Sequence, residues 1–132
     1  MRQPKVGVVG VTCEYESGGH RAEELIQGVK NVLTKKGVDV VCASKIAWNS
    51  ADVVDICKEF KQKDLDALVI VEVTWIMDSM QYVFISELNL PTIFWAVPYT
   101  ETFSIGCVQH FGAILKTNGI EYDYVYGLPE RE

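Results

Sequence analysis

Short apolar runs with strand spacing alternate along this chain with longer segments whose apolar residues recur every three or four positions. The first run, Lys5–Val11, is β-branched and nearly continuous, as expected of a strand covered on both faces. A polar, glycine-bearing loop follows. Residues 20–36 then place Ala22, Leu25, Ile26, Val29, Val32 and Leu33 on one helical face. Gly37 stops that helix after Lys35 and Lys36, whose charges suit its negative end. Residues 38–43 read as a second buried strand. Ser50 reads as the cap of a helix from Ala51 to about Lys63, with Val53, Ile56, Cys57 and Phe60 inward. Residues 65–71 supply a third strand. A helix is predicted from about Ile76 to Leu88, although Val83, Phe84 and Ile85 raise strand propensity. Pro91 introduces a fourth strand, Thr92–Ala96, and Pro98 ends it. Residues 103–116 form a helix through Ile105, Val108, Phe111, Ile114 and Leu115, ending near Asn118 and Gly119. Residues 122–126 give a fifth, more polar strand at an edge, and 127–132 carry no strong signal.

Strands that alternate with helices across short loops predict parallel βαβ units with right-handed crossovers. The expected fold is a three-layer α/β/α sandwich, with a Rossmann- or flavodoxin-like parallel sheet of about five strands in the order 2-1-3-4-5. A length of 132 residues suits one such domain, with no internal repeat or linker. The net charge of −6 disfavours nucleic acid and anionic membrane as partners. The longest apolar runs are strand-length, too short to span a bilayer, and Met1 leads into a strand without a secretory pattern. Four cysteines, Cys13, Cys42, Cys57 and Cys107, form no CxxC pair. Free thiols in a reducing, cytoplasmic setting are therefore expected.

In this architecture a ligand crevice lies beyond the carboxyl ends of the strands. Segments 12–19, 44–49, 72–78 and 97–102 converge there, bringing Tyr15, Trp48, Trp75, Tyr99, Glu14, Glu72 and Glu101. Aromatic faces beside carboxylates and hydroxyls suit a sugar or polyol; helix capping and ordinary surface aromatics are the plain alternative. Gly18 and Gly19 precede a helix whose free N–H groups would attract an anion, but the loop lacks GxxxxGK. Gly7 and Gly10 do not make GxGxxG and read as close-packing positions within a strand. Cys13 faces the same crevice. An arginine six positions on would make it a phosphate-accepting loop, yet Gly19 stands there and Arg21 two further on. His20 and His110 form no HxxxH or HxH pattern, so no metal site is expected in this chain. No Ser-His-Asp arrangement follows from spacing.

The stretches ALVIVEVTW (67–75), LPTIFWAVP (90–98), SIGCVQHFG (104–112) and YDYVYG (122–127) resemble the N-terminal domain of the L-fucose isomerase and L-arabinose isomerase-like family. The resemblance runs through most of the chain. It implies cytoplasmic aldose–ketose isomerisation by a homo-oligomer of longer chains, assisted by a divalent metal such as manganese. In that family the catalytic carboxylates and metal-binding histidine come from later domains, while the N-terminal domain helps shape a sugar site, often a neighbour's. The implied role is a noncatalytic substrate-binding or assembly domain, inactive as an isolated chain and partnered by C-terminal domains or neighbouring subunits. Expected sugar contacts, assigned by loop location, are Glu14, Tyr15, Trp48, Thr74, Trp75 and Tyr99. A phosphotransfer component using Cys13 and a purely structural oligomerisation module remain as alternatives.

Overall fold

The computed structural model describes residues 2–129. Five parallel strands, β1 (Lys5–Val11), β2 (Asp39–Cys42), β3 (Ala67–Glu72), β4 (Thr92–Ala96) and β5 (Asp123–Tyr126), form one sheet in the order β2-β1-β3-β4-β5. Four helices, α1 (Ala22–Lys35), α2 (Ser50–Lys61), α3 (Asp78–Leu88) and α4 (Ser104–Thr117), connect them. The fold is the expected α/β/α sandwich in its expected strand order. Among the described residues no helix is long and apolar enough to cross a membrane.

Strand periodicity divides the core in two. Val6, Val8, Val69, Val71 and Trp95 face α1, which buries Ala22, Leu25 and Val29 against them. Val9, Val11, Leu68, Ile70 and Phe94 face the side covered by α2, α3 and α4. That uneven division follows from right-handed crossovers: the chain moves one way from β1 to β2 and the other way at every later step. Phe94 meets Phe111 and Tyr122 edge-on, each with ring centroids 5.7 Å apart, a geometry worth about 0.5–1.5 kcal/mol per pair beyond area burial.

Several local expectations need correction. The second strand is an edge strand with its residues half-buried or exposed, because no neighbour lies beyond β2. Asn49, not Ser50, caps α2: its side chain accepts the Asp52 N–H at 2.9 Å, leaving Ser50 as the first helical residue. A short 3-10 turn, Gly19–Arg21, precedes α1, so the helix starts two residues later than its apolar spacing implied. Tyr122 lies before β5 rather than in it, drawn inward by Phe94. The tail is anchored as far as Leu128, since the Trp95 indole donates to the Gly127 carbonyl at 3.0 Å and Leu128 joins the α1-side core. Residues 130–132 of the predicted tail lie outside the described residues.

Gly7 does serve close packing. A Cβ there would stand 2.6 Å from Leu65 Cδ1 and 3.1 Å from the Phe60 ring. Gly7→Ala therefore forces two buried side chains to move at once and should cost about 1–3 kcal/mol of stability, read as a lower urea midpoint at unchanged slope. An unchanged midpoint would contradict this packing.

Candidate functional site

Register places Val11, Glu72 and Ala96 side by side at the carboxyl edge of the three central strands. The connections leaving them are tied together by hydroxyl groups. Thr74 Oγ1 accepts the Cys13 N–H at 2.8 Å, lies 3.3 Å from Thr12 Oγ1 and donates to the Trp75 carbonyl at 3.0 Å. Ser104 Oγ donates to the Glu72 carbonyl at 2.6 Å and accepts the Val97 N–H at 2.9 Å. Thr102 donates its hydroxyl to the Tyr99 carbonyl at 2.7 Å, while its own carbonyl accepts the Trp75 N–H at 2.8 Å. The floor of the crevice is thus cross-linked between three strands. Each buried donor so satisfied avoids a desolvation cost of about 1–3 kcal/mol.

Beneath this floor lies a polar cluster between β3, α3 and α4. The Glu72 side chain is fully buried on the α3/α4 side of the sheet, which corrects its expected place on the crevice surface: even-numbered positions of β3 point to that side. Gln81 Nε2 lies 3.1 Å from Cys107 Sγ, which is 3.9 Å from Glu72 Oε2 and 3.6 Å from the Ile76 carbonyl. Burial, reinforced by the charge of Asp78, raises the Glu72 pKa well above the ordinary carboxyl range and outweighs the Cys107 contact. Burial thus favours the protonated form of Glu72. Burial likewise raises the Cys107 thiol, so it is no thiolate nucleophile. Cys57 is pushed up to about 11 by burial within α2. Asp78, in the first turn of α3, lies 3.0 Å from His110 Nδ1 on α4.

Above the floor, Arg21 lies with Cζ 3.8 Å from the Tyr99 ring centroid while Nη2 pairs with Glu101 at 2.7 Å. The glycine pair permits this closure. Gly18 adopts φ 112°, and a Cβ on it would stand 2.6 Å from Thr102 Cγ2. A Cβ on Gly19 would stand 2.7 Å from the Trp48 ring. Trp48 and Thr102 therefore pack directly against these two residues.

The structure brings Trp48, Thr74 and Tyr99 of the expected contacts to this floor and rim. The Thr74 hydroxyl is spent on protein hydrogen bonds, and Trp75 is half-buried against the α2–α4 core. Glu14 and Tyr15 project into solvent, where hydrogen bonding to Glu14 raises the Tyr15 phenol pKa. Cys13 is half-buried and packs on the core beneath the loop. Sequence reading missed Arg21, Gln81, Ser104 and Cys107. A glutamate closing an otherwise apolar strand, with polar residues on the apolar faces of two later helices, was the available signal. Among the described residues no group of three or more His, Cys, Asp or Glu side chains is arranged to hold a metal.

A collar of apolar side chains surrounds the same edge. Tyr15 is 87% exposed, Phe103 64%, Met77 59% and Trp48 40%, each from the connection after a different strand. Phe103 also adopts the left-handed conformation, with φ 54°. A bulky residue there costs about 1–3 kcal/mol, and such strain concentrates at functional surfaces.

No family model and no curated protein matches the chain. Two lac repressor structures, a dimer bound to operator and the anti-inducer ONPF and a repressed state bound to ONPG, align with TM-scores of 0.55 and 0.54. Both are 12% identical and cover 96% of this chain but only 55% and 48% of their own. The chain thus spans about half the length of those repressors, and at that identity the likeness is one of fold. A ribose 5-phosphate isomerase from Thermotoga maritima aligns at TM-score 0.42 and 14% identity, over 98% of this chain and 77% of that one.

The protonated Glu72 links stability to pH with a definite sign. In the unfolded chain this carboxyl ionises near its ordinary value of 4.5, whereas the fold keeps its proton to higher pH. The unfolded state therefore binds fewer protons above that point, and stability falls by up to about 1.4 kcal/mol per pH unit until the folded carboxyl ionises. Urea midpoints of wild type and Glu72→Gln should keep a constant separation below ~pH 4.5, then shift progressively in favour of the variant as pH rises above it. A separation constant across the whole range would refute a buried neutral Glu72.

Proposed function

We propose that this chain is a noncatalytic substrate-binding or assembly domain of a sugar (aldose–ketose) isomerase-like protein, supplying one wall of a sugar site. The observation that carries this reading is the apolar collar at the carboxyl edge of the sheet. Four large apolar side chains left in water on the loops of one sheet edge, one of them in a strained conformation, form a surface built to be covered. The rim offers polar and aromatic groups of the kind that bind a sugar ring: the exposed Trp48 indole, and the Arg21 guanidinium that stacks on Tyr99 and pairs with Glu101.

The carboxylates near this edge argue for binding rather than turnover. Glu72 is sealed beneath the floor, Glu101 is held by Arg21, and Glu14 lies in open solvent. Proton transfer during aldose–ketose exchange needs acid and base groups within hydrogen-bond reach of the reacting carbons. The isomerase-like motifs supply the sugar class, and the metal chemistry of such an enzyme, with manganese, would belong to other domains. The repressors described with ONPF and ONPG lend the fold a precedent for small-molecule binding.

Ligand-observed saturation-transfer NMR with L-fucose and L-arabinose tests the reading. The wild-type chain should give a signal for at least one sugar. Trp48→Ala or Tyr99→Ala should weaken affinity by about tenfold, corresponding to ~1.4 kcal/mol. The isolated chain with manganese present should not interconvert either sugar. Absence of any sugar signal would defeat the binding claim, and robust turnover by the isolated chain would defeat the noncatalytic one.

A further inference from the structure

The face that α1 covers alone carries a second surface, which reaches the carboxyl edge only at Pro98, Tyr126 and Gly127. Three helices pack on the opposite side of the sheet, whereas α1 reaches only part of its own. Beside it runs a groove of about 1180 Å³, floored by Trp95, Val125 and Leu128. Its wall is a stripe of α1 comprising Glu24, Gln27, Gly28, Asn31, Val32 and Lys35. These positions recur at intervals of three and four, so they share one helical face beside the stripe that packs on the sheet.

The charge order of that stripe is antisymmetric. Acid stands at the N-terminal end, base at the C-terminal end, and between them Gln27 Nε2 donates to Asn31 Oδ1 at 2.9 Å. Gly28 lies within the same middle section. A glycine inside a helix costs about 0.8–1.0 kcal/mol relative to alanine, a cost that close approach by another backbone would offset. Glu24 and Lys35 are separated by roughly 16 Å along the axis, at 1.5 Å per residue.

We infer that this α1 face is the contact between two copies of the chain, related by a two-fold axis passing between Gln27 and Asn31. The two α1 helices then run antiparallel. Glu24 of each copy meets Lys35 of the other, so one operation satisfies both ion pairs, as an isologous interface requires. Antiparallel helix dipoles add to the attraction, and the absent side chain of Gly28 lets the helices approach over the apolar floor. A parallel pairing in register would instead set Glu24 against Glu24 and Lys35 against Lys35. Self-complementary charge is thus what commits this groove to a second copy. The inference does not depend on the ligand proposed for the crevice.

Sedimentation velocity on the full chain at low salt, across a range of concentrations, tests it. Wild type should show a concentration-dependent dimer. Glu24→Lys and Lys35→Glu should each weaken dimerisation by at least about tenfold, because each sets like charges against one another twice. The double variant Glu24→Lys/Lys35→Glu should restore it, since the pairs re-form with reversed sign. Circular dichroism should show all variants folded, both positions being at the surface. A wild-type monomer at every concentration would overturn the inference. So would a dimer that ignores the single substitutions, or a loss that the double variant fails to rescue.

Discussion

Right-handed connection through β1, the second strand of the sheet, is the constraint on which the rest of this molecule depends. Because the chain steps outward to β2 and then returns past β1 to β3, α1 lands on one face and α2, α3 and α4 on the other. The loops after β1 and β3 lead to helices on opposite faces of the sheet, and Thr74 ties them together at the carboxyl edge. The same asymmetry leaves the α1 face incompletely covered. The crevice and the exposed groove beside α1 are two consequences of one topological fact.

The crevice has a rigid floor and a sparsely covered rim, for different physical reasons. Thr12, Thr74, Thr102 and Ser104 are short hydroxyl side chains that satisfy backbone groups where strand pairing ends, so they bind three connections into one piece. Glu72 is compatible with this floor because it keeps its proton; an ionised carboxylate at full burial would carry a large desolvation penalty. Thr102 holds the Tyr99 carbonyl, and Arg21 stacks on the Tyr99 ring while pairing with Glu101. The surrounding Tyr15, Met77 and Phe103 are exposed to solvent.

Most of the fold was legible in the sequence because buried parallel strands write a direct signal. Lys5–Val11 and Thr92–Ala96 were read with their observed bounds, the one from its β-branched run and the other from flanking prolines. Edge strand β2 misled, since Val40 and Val41 are as apolar as core residues although their strand lacks an outer neighbour. The α2 cap was misplaced by one residue because Asn49 and Ser50 are both good caps and composition alone does not choose between them. At the site, location was legible and partnership was not. Tyr99 could be placed on its loop, but its stacking with Arg21 joins residues far apart in the chain. Burial of Glu72 depends on strand parity together with Gln81 and Cys107 from two later helices, a three-element coincidence that no local pattern records.

The central claim is that the carboxyl-edge crevice is a sugar-binding wall, and amide chemical-shift mapping tests it most directly. With L-fucose or L-arabinose added to the isotopically labelled chain, the account predicts saturable shifts confined to residues 12–19, 48, 72–78 and 97–103. The amides of α1 along Gln27, Asn31 and Lys35 should stay unchanged. Saturable shifts centred on that α1 groove, or none anywhere with either sugar, would contradict it.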